Sequence, residues 1–277
     1  MRFPYCLVLT FPLLIASSSL SHAAGFDTYG AAPTDLYAIQ PTHDFIFILG
    51  AGIGAAPAYE GASDYSATFL PIISVERFHI PGLIDVGGGP KTAGGLRFAP
   101  SVSFAGERVS TDHAALTGLD NVDATFGLGA RVGYEMVLTD TVTAEVYGAA
   151  RYAFGGAEGV VGEVGIDVTA DVTPQLQITG GPVVSLASEG YMDTYFGVTS
   201  AQSAATGGRL AEYEAEGGIK SIGLKAEARY EFIPDTFANL KGSYSTFVGD
   251  TRNSPIVQSG SEHQFTIGLG LSRRFSF

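Results

Sequence analysis

Histidine and cysteine are the residue types that most often perform catalysis or bind metals in proteins, and this chain has few of either. Beyond residue 23 the histidines are His43, His79, His113 and His263, and the single cysteine is Cys6. No two of these histidines have the i, i+4 or short-range spacing of a metal site. The sequence therefore predicts no metal centre, no cofactor and no thiolate chemistry.

One histidine has a hydroxyl and an acid beside it. Residues 110–113 read Ser-Thr-Asp-His, which places the groups of an acyl-transfer site in adjacent positions. The sequence has neither a serine-esterase signature nor a second acidic pair, so His113 has no defined catalytic partner. We interpret the segment as a polar loop, and a hydrolase that uses His113 is the less favoured alternative.

A glycine-rich stretch at 50–54 (GAGIG) superficially resembles a phosphate-binding loop. It lacks the Lys-Ser/Thr pair and the third-glycine pattern of such loops, and no helical pattern follows it. Close packing between neighbouring strands explains these glycines better.

Composition excludes several classes of protein. The 277 residues carry a formal charge of −13, with 37 glycines, no tryptophan and only 16% charged residues. A nucleic-acid-binding protein would need a basic surplus to neutralise phosphates, which is missing here. Abundant apolar residues argue against global disorder, and the glycines follow no collagen period.

The first 23 residues have the organisation of a secretory signal peptide. Arg2 precedes an apolar stretch at 5–16, and Ser21-His22-Ala23 offers small residues for cleavage after Ala23. We expect residues 1–23 to be removed, with 24–277 forming one exported domain. No later run of about 18 apolar residues predicts a membrane helix.

Long stretches of period-two alternation dominate the exported part. Segments 122–138, 142–154, 160–172 and 222–232 each place apolar residues on one face and polar residues on the other. A tilted membrane strand needs about 9–11 residues with this pattern, which is longer than the usual soluble strand. The sequence therefore predicts an all-β fold, a closed antiparallel transmembrane β-barrel of about 10–12 strands.

Connections and strand ends agree with a barrel. Short turns are predicted at 139–140, 171–174 and 234–235, and longer external loops at 110–121, 189–208 and 249–260. Segment 80–94 leaves the count open between ten and twelve strands. The last strand carries apolar residues on one face and ends in an aromatic residue, as outer-membrane strands do; these residues are Phe265, Ile267, Leu269, Leu271, Phe275 and Phe277.

The inward faces of the predicted strands carry charges of both signs. They would fill a narrow barrel in pairs, or else line a small charge-selective pore. The filled interior is favoured because the signs alternate. The candidate luminal charges are Arg131, Glu135, Arg151, Glu163, Lys225, Glu227 and Arg229, with Glu145, Asp167, Glu231, Lys241 and Arg274 on the same faces.

Aromatic residues gather around the longest external loop. Tyr191, Tyr195, Phe196 and Tyr213 would form either an exposed binding patch or a loop folded back over the barrel mouth. The sequence leaves both possibilities open.

Four motifs resemble the MipA/OmpV family of outer-membrane proteins. They are 57–65 (PAYEGASDY), 116–120 (LTGLD), 193–198 (DTYFGV) and 253–257 (NSPIV), and their order spans nearly the whole exported chain. The most specific piece is Tyr195-Phe196-Gly197-Val198, a candidate external-loop motif.

The resemblance implies a non-enzymatic barrel in the outer membrane. Members of this family are named for interaction with a murein lytic transglycosylase, and are expected to scaffold this hydrolase together with a murein synthase. We expect a monomer in contact with outer-membrane lipid and no nucleic-acid partner. A small diffusion channel or solute-binding porin, and an adhesin, are the competing hypotheses.

Overall fold

The computed structural model describes residues 27–28, 44–80, 84–87 and 94–277. The predicted signal peptide and its cleavage site lie outside these residues. Ten long strands of 11 to 16 residues form one antiparallel sheet, together with two short strands. In chain order the strands are β1 Asp27–Thr28, β2 Phe45–Pro57, β3 Tyr65–Ile80, β4 Ile84–Gly87, β5 Gly95–Ala105, β6 Thr125–Thr139, β7 Val142–Gly155, β8 Gly159–Asp171, β9 Leu176–Ala187, β10 Gly218–Ile233, β11 Thr236–Phe247 and β12 His263–Ser276.

Consecutive long strands from β5 to β12 pair with their neighbours, and the sheet then continues from β12 to β2 and β3. The pairing of the last strand with the first long strand, from Ile267 opposite Ala55 to Ser276 opposite Ile46, curls the sheet. The short β1 pairs with β5, and β4 pairs with β3. Cα atoms of β4 approach those of β5 within 8 Å, so the two sheet edges lie near one another.

The glycines at 50–54 allow β2 to approach β12 closely. A Cβ added to Gly52 would lie 2.6 Å from the Cα atom of Gly270, inside any tolerable contact. The structure places this stretch within a strand that opens no helix, in agreement with the packing interpretation.

The two ends of the sheet have different connections. Residues 140–141, 172–175 and 234–235 make short turns at one end, where the chain terminus Phe277 also lies. The opposite end carries the loops 58–64, 106–124, 188–217 and 248–262. This division into a turn end and a loop end was predicted from the sequence and is typical of outer-membrane barrels.

Short helices form inside the long loops: α1 Glu189–Phe196, α2 Ser200–Ala205, α3 Gly249–Asn253 and α4 Pro255–Gln258. Thr199 and Gln202 form a capping box that starts α2. Ser254 caps α4, whose first residue is a proline. No helix among the described residues is long and apolar enough to cross a membrane.

Candidate functional site

The outward face of the curled sheet is apolar over most of its length. Leu128 and Leu269 are each 60% exposed, and similar side chains occupy alternate positions on the other long strands. A water-soluble monomer rarely exposes a continuous apolar surface of this extent. Apolar side chains outside and polar side chains inside are the arrangement of a transmembrane barrel, so this belt matches the hydrocarbon core of a bilayer.

Aromatic side chains stand near both ends of the belt. Tyr134 and Tyr230 lie toward the turn end of β6 and β10, while Tyr152 and Phe154 lie toward the loop end of β7. All four are exposed on the outer face. Without tryptophan, tyrosine and phenylalanine supply the aromatic girdles at the two membrane surfaces.

Inside the sheet, Arg131 is the centre of a buried ion cluster. Its Nη2 atom lies 2.7 Å from Glu145 Oε2 and 2.8 Å from Asp167 Oδ2. The guanidinium carbon is 3.4 Å from the centre of the Tyr147 ring, and Lys225 Nζ is 4.4 Å from the same centre. Both cations therefore lie over the Tyr147 ring, which is a favourable cation–π geometry.

A second group of charges joins β7, β8 and β10. Glu163 lies 4.0 Å from Arg151 and 3.9 Å from Lys225, and the Lys225 ammonium is also 3.3 Å from Asp167. Arg151 and Glu163 are almost completely buried. Lys225 thus connects this group to the Arg131 cluster across the interior.

Further pairs lie toward the turn end and along the neighbouring strands. Glu76 on β3 is 2.8 Å from Arg274 and 3.7 Å from Arg229. Lys241 is 3.2 Å from Glu227. A further pair joins β5 to β6, between Arg97 and Glu135.

Each of the seven candidate luminal charges therefore has an oppositely charged neighbour within 4.0 Å. Glu76, Arg97 and Tyr147 were not among the residues singled out from the sequence, although Tyr147 stands on an inward face. Glu76 was missed because it lies in a strand whose register shifts at a bulge, where Glu76 and Arg77 are both buried.

The loops at the loop end fold into a packed cap. Phe196 is fully buried, and its ring lies 5.4 Å from that of Phe247 at the end of β11. Tyr191 and Tyr195 belong to the same apolar cluster, with Tyr213 packed against it. Of the two arrangements that the sequence left open, the structure has the folded-back loop, with these aromatics mostly buried.

The remaining residues of the external motif hold the cap together. Gly197 lies so close to the Asp193 carbonyl that a side chain would not fit. Val198 exchanges two backbone hydrogen bonds of 2.8 Å with Tyr213, and its side chain joins a second apolar cluster with Leu116 and Leu119. The motif 195–198 is thus buried in the cap.

Arg108 anchors α1 to the 106–124 loop. Its guanidinium donates hydrogen bonds to the carbonyl oxygens of Tyr195, at 2.8 Å, and Thr194, at 3.2 Å. Burial lowers the pKa of Arg108 below its ordinary value. Burial also raises the pKa of Tyr195 to about 12, and its hydroxyl donates to Thr125 Oγ1 at 2.8 Å.

Glu60 links three parts of the loop end. Its Oε1 atom lies 2.8 Å from Lys220 Nζ at the start of β10 and accepts a 3.0 Å hydrogen bond from the Tyr191 hydroxyl on α1. Lys220 Nζ is also 5.2 Å from the centre of the Tyr191 ring. This bridge was not predicted, because Glu60 and Lys220 are 160 positions apart.

Below the bridge, the interior contains a cavity of about 210 Å³. Its walls come mainly from β8 to β12, and both charged and hydroxyl side chains line it. Glu163, Lys225, Glu227 and Arg229, four of the candidate luminal charges, are among the lining residues.

The segment 110–113 does not assemble a catalytic site. The Ser110 hydroxyl donates to Asn121 Oδ1 at 3.0 Å, and the His113 ring packs edge-on against Tyr59 with 5.2 Å between ring centres. No group of three or more histidine, cysteine or acidic side chains suited to a metal ion occurs in the described part of the chain.

Several solved outer-membrane proteins have a similar course of the chain. The NanC porin is 11% identical over 82% of this chain and 98% of its own, with a TM-score of 0.36. Neisserial surface protein A is 9% identical over 84% and 97%, with a TM-score of 0.29. OprG from Pseudomonas aeruginosa is 12% identical over 85% and 98%, with a TM-score of 0.28. TM-scores below 0.5 are too low for these likenesses to assign a function.

No curated protein matches the chain. A family model described as MltA-interacting protein MipA matches residues 49–275. This match covers most of the sequence. It includes all the long strands, apart from the first few residues of β2 and the last residue of β12. The chain therefore belongs to the MltA-interacting protein MipA family.

Proposed function

We propose that this protein is a closed, monomeric barrel in the outer membrane that anchors a murein lytic transglycosylase and a murein synthase. The family match over residues 49–275 carries the proposal, because the family description names interaction with MltA. The barrel supplies the attachment to the membrane, and the enzymes supply the chemistry.

The interior supports a structural role over transport. Buried pairs such as Arg131–Glu145 and Arg131–Asp167 occupy the space that a pore would need. The apolar cap around Phe196 covers the loop end. A small diffusion channel is therefore less favoured, and steady unitary conductance would be the result that supports it.

An adhesin and a hydrolase have less support than the scaffold. The motif aromatics Tyr195 and Phe196 are buried, so an adhesin would need a different surface of the loops. A hydrolase that uses His113 would need Ser110 or Asp112 to engage it, whereas the Ser110 hydroxyl is bonded to Asn121.

Partners in the periplasm would meet the turn end of the barrel, since long loops face outside in proteins of this kind. Residues 140–141, 172–175 and 234–235 are exposed there. Val172 is 55% exposed in the longest of these three turns and offers an apolar contact.

Site-specific photo-crosslinking in intact cells tests the proposal. A photoreactive residue replaces Val172 at the turn end, and a matched protein carries it at Arg252, an exposed position at the loop end. We expect the Val172 position, and not the Arg252 position, to capture a lytic transglycosylase or a murein synthase. Efficient crosslinking at Val172 that captures neither enzyme contradicts the scaffold role and makes planar-bilayer conductance the next measurement.

A further inference from the structure

The interior has a dry side and a wet side. On β6, β7 and β8, the side chains of Arg131, Arg151 and Asp167 are at most 4% exposed. On β10, the side chains of Glu227 and Lys225 are 26% and 19% exposed, although both lie in the middle of the strand. Both line the cavity of about 210 Å³, so their exposed surface faces it. Water therefore reaches mainly the charges on the β10 side of the interior.

This cavity is long and narrow. Its walls include Lys220 near the loop end of β10 and Arg229 near the turn end of the same strand. The distance between these two positions is about 30 Å at roughly 3.3 Å per residue. The volume is the space open to the centres of water molecules. Over that length it corresponds to a passage about 6 Å wide once the radius of water is added, which admits a file of water molecules or a small ion.

Three cavities meet at Glu60. A second cavity, of about 60 Å³, lies at the loop ends of β5 to β9, and a third, of about 10 Å³, reaches the exposed Glu107 in the 106–124 loop. The large and the second cavity share Glu60, Lys220 and Ser185 in their walls, and Glu60 also lines the third. Spaces with common wall residues are neighbours. The three cavities therefore form a series from the interior toward the outer surface, with Glu60 at their junctions.

A β-bulge aims Lys220 at this junction. The register of β10 against β9 shifts between Ile219 and Ser221, so Lys220 is the extra residue. Bulges often occur where a side chain is directed away from the ordinary alternation of a strand. The Lys220 ammonium lies 2.8 Å from Glu60 Oε1. This ion pair therefore stands between the large and the second cavity and joins β10 to the 58–64 loop.

The turn end of the large cavity is held by more contacts. Glu76, the extra residue of the bulge in β3, lies 2.8 Å from Arg274 and 3.7 Å from Arg229. The ring of Phe237 packs against both guanidinium groups, with its centre 5.1 Å from that of Arg274 and 4.8 Å from that of Arg229. Opening the turn end would break this whole cluster, whereas opening the loop end needs only the Glu60–Lys220 pair to separate.

We propose that the three cavities form one passage for water and small inorganic ions of either sign, and that the Glu60–Lys220 pair is its gate at the loop end. Four acidic and four basic side chains line the large cavity, so its wall favours neither sign. The passage is closed at rest, which distinguishes it from a steadily conducting diffusion channel. It does not depend on the murein enzymes, so its failure and that of the scaffold role are separate results.

Cysteine labelling tests the passage, since residues 24–277 contain no cysteine. Ser245→Cys places a thiol in the wall of the large cavity, and Ser101→Cys places the matched thiol at a buried position on β5. The probes are aminoethyl methanethiosulfonate, a cation, and sulfonatoethyl methanethiosulfonate, an anion, applied to the exported protein folded in detergent. We expect both probes to modify Ser245→Cys at least about tenfold faster than Ser101→Cys, because a thiol reacts only where its thiolate is accessible.

Removal of the bridge tests the gate. Glu60→Ala combined with Lys220→Ala deletes both charges of the pair together, and it should speed up the modification of Ser245→Cys at least about tenfold. The modification of Ser101→Cys should not change. The matched control is Arg252→Ala combined with Glu262→Ala, which removes an exposed ion pair at the loop end and should leave both rates as they were.

Altered mobility on unheated gels checks that each variant is folded. Lys220→Ala alone decides about the gate if the double variant does not fold. Equal rates at the two cysteines, modification of Ser245→Cys by only one of the two probes, or no acceleration in the folded gate variant overturns the proposal.

Discussion

Replacing Arg131 by methionine tests whether the barrel interior is a dry, paired core. The substitution keeps an unbranched side chain of similar length and removes the charge that faces Glu145 and Asp167 at 2.7 and 2.8 Å. It also removes the cation over Tyr147. Breaking one partner of a buried ion pair costs about 3–5 kcal/mol, because the remaining charge stays desolvated.

The surroundings of each carboxylate place the expected loss within that range. Asp167 keeps Lys225 at 3.3 Å, so its charge remains partly neutralised. The side chain of Glu145 is 13% exposed, and water can reach it only in part. We therefore expect the free energy of unfolding to fall by about 3 kcal/mol, at the lower end of the range.

Urea unfolding of the barrel in lipid vesicles measures this loss, followed by circular dichroism and by tyrosine fluorescence, since the chain has no tryptophan. The matched control is Arg252→Met, which breaks a 2.6 Å ion pair with Glu262 whose arginine side chain is 63% exposed. That change should cost at most about 1 kcal/mol.

A second substitution separates the loss of the ion-pair attraction from the cost of leaving a buried carboxylate without its arginine. Adding Glu145→Gln to Arg131→Met removes the carboxylate that has lost its arginine, so part of the stability should return. If Arg131→Met costs no more than Arg252→Met, the Arg131 cluster is hydrated. The interior would then resemble a water-filled channel, and the reasoning for a filled barrel would be wrong.

Two further predictions concern the cap. Phe196→Ala should lower the free energy of unfolding by about 3–5 kcal/mol and speed up protease cleavage within 188–217 on intact cells. The matched change at an exposed residue, Glu212→Ala, should have neither effect. Equal cleavage of the two variants would contradict a packed cap. The pKa of Tyr195, about 12, lies above the ordinary value of about 10, so its contribution to cap stability is complete below pH 10 and is lost as the pH rises toward 12. Near-ultraviolet circular dichroism of urea unfolding should show a larger loss in the natural protein than in Tyr195→Phe, because burial also raises the pKa values of Tyr59 and Tyr213 and these two keep part of the pH dependence. An identical pH dependence in both proteins would refute the prediction.

The sequence alone determined the class of fold and the position of most elements. Alternation with period two is a local property, because successive side chains of a strand point to opposite faces whatever the strand pairs with. Inward charges such as Arg131 and Arg151, and outward residues such as Leu128, could therefore be assigned to a face. Turn residues likewise marked the ends of β6 and β10 without knowledge of their neighbours.

Only the tertiary structure decided which of these residues meet. Glu76 and Arg274 are 198 positions apart, and Glu60 and Lys220 are 160 apart. Their contacts depend on the register of pairing around the curled sheet, including the bulge in β3, and on how the loops fold back. The burial of Tyr195 and the ion pairs of Asp167 have the same origin, because burial and ion pairing depend on side chains brought together from distant parts of the chain.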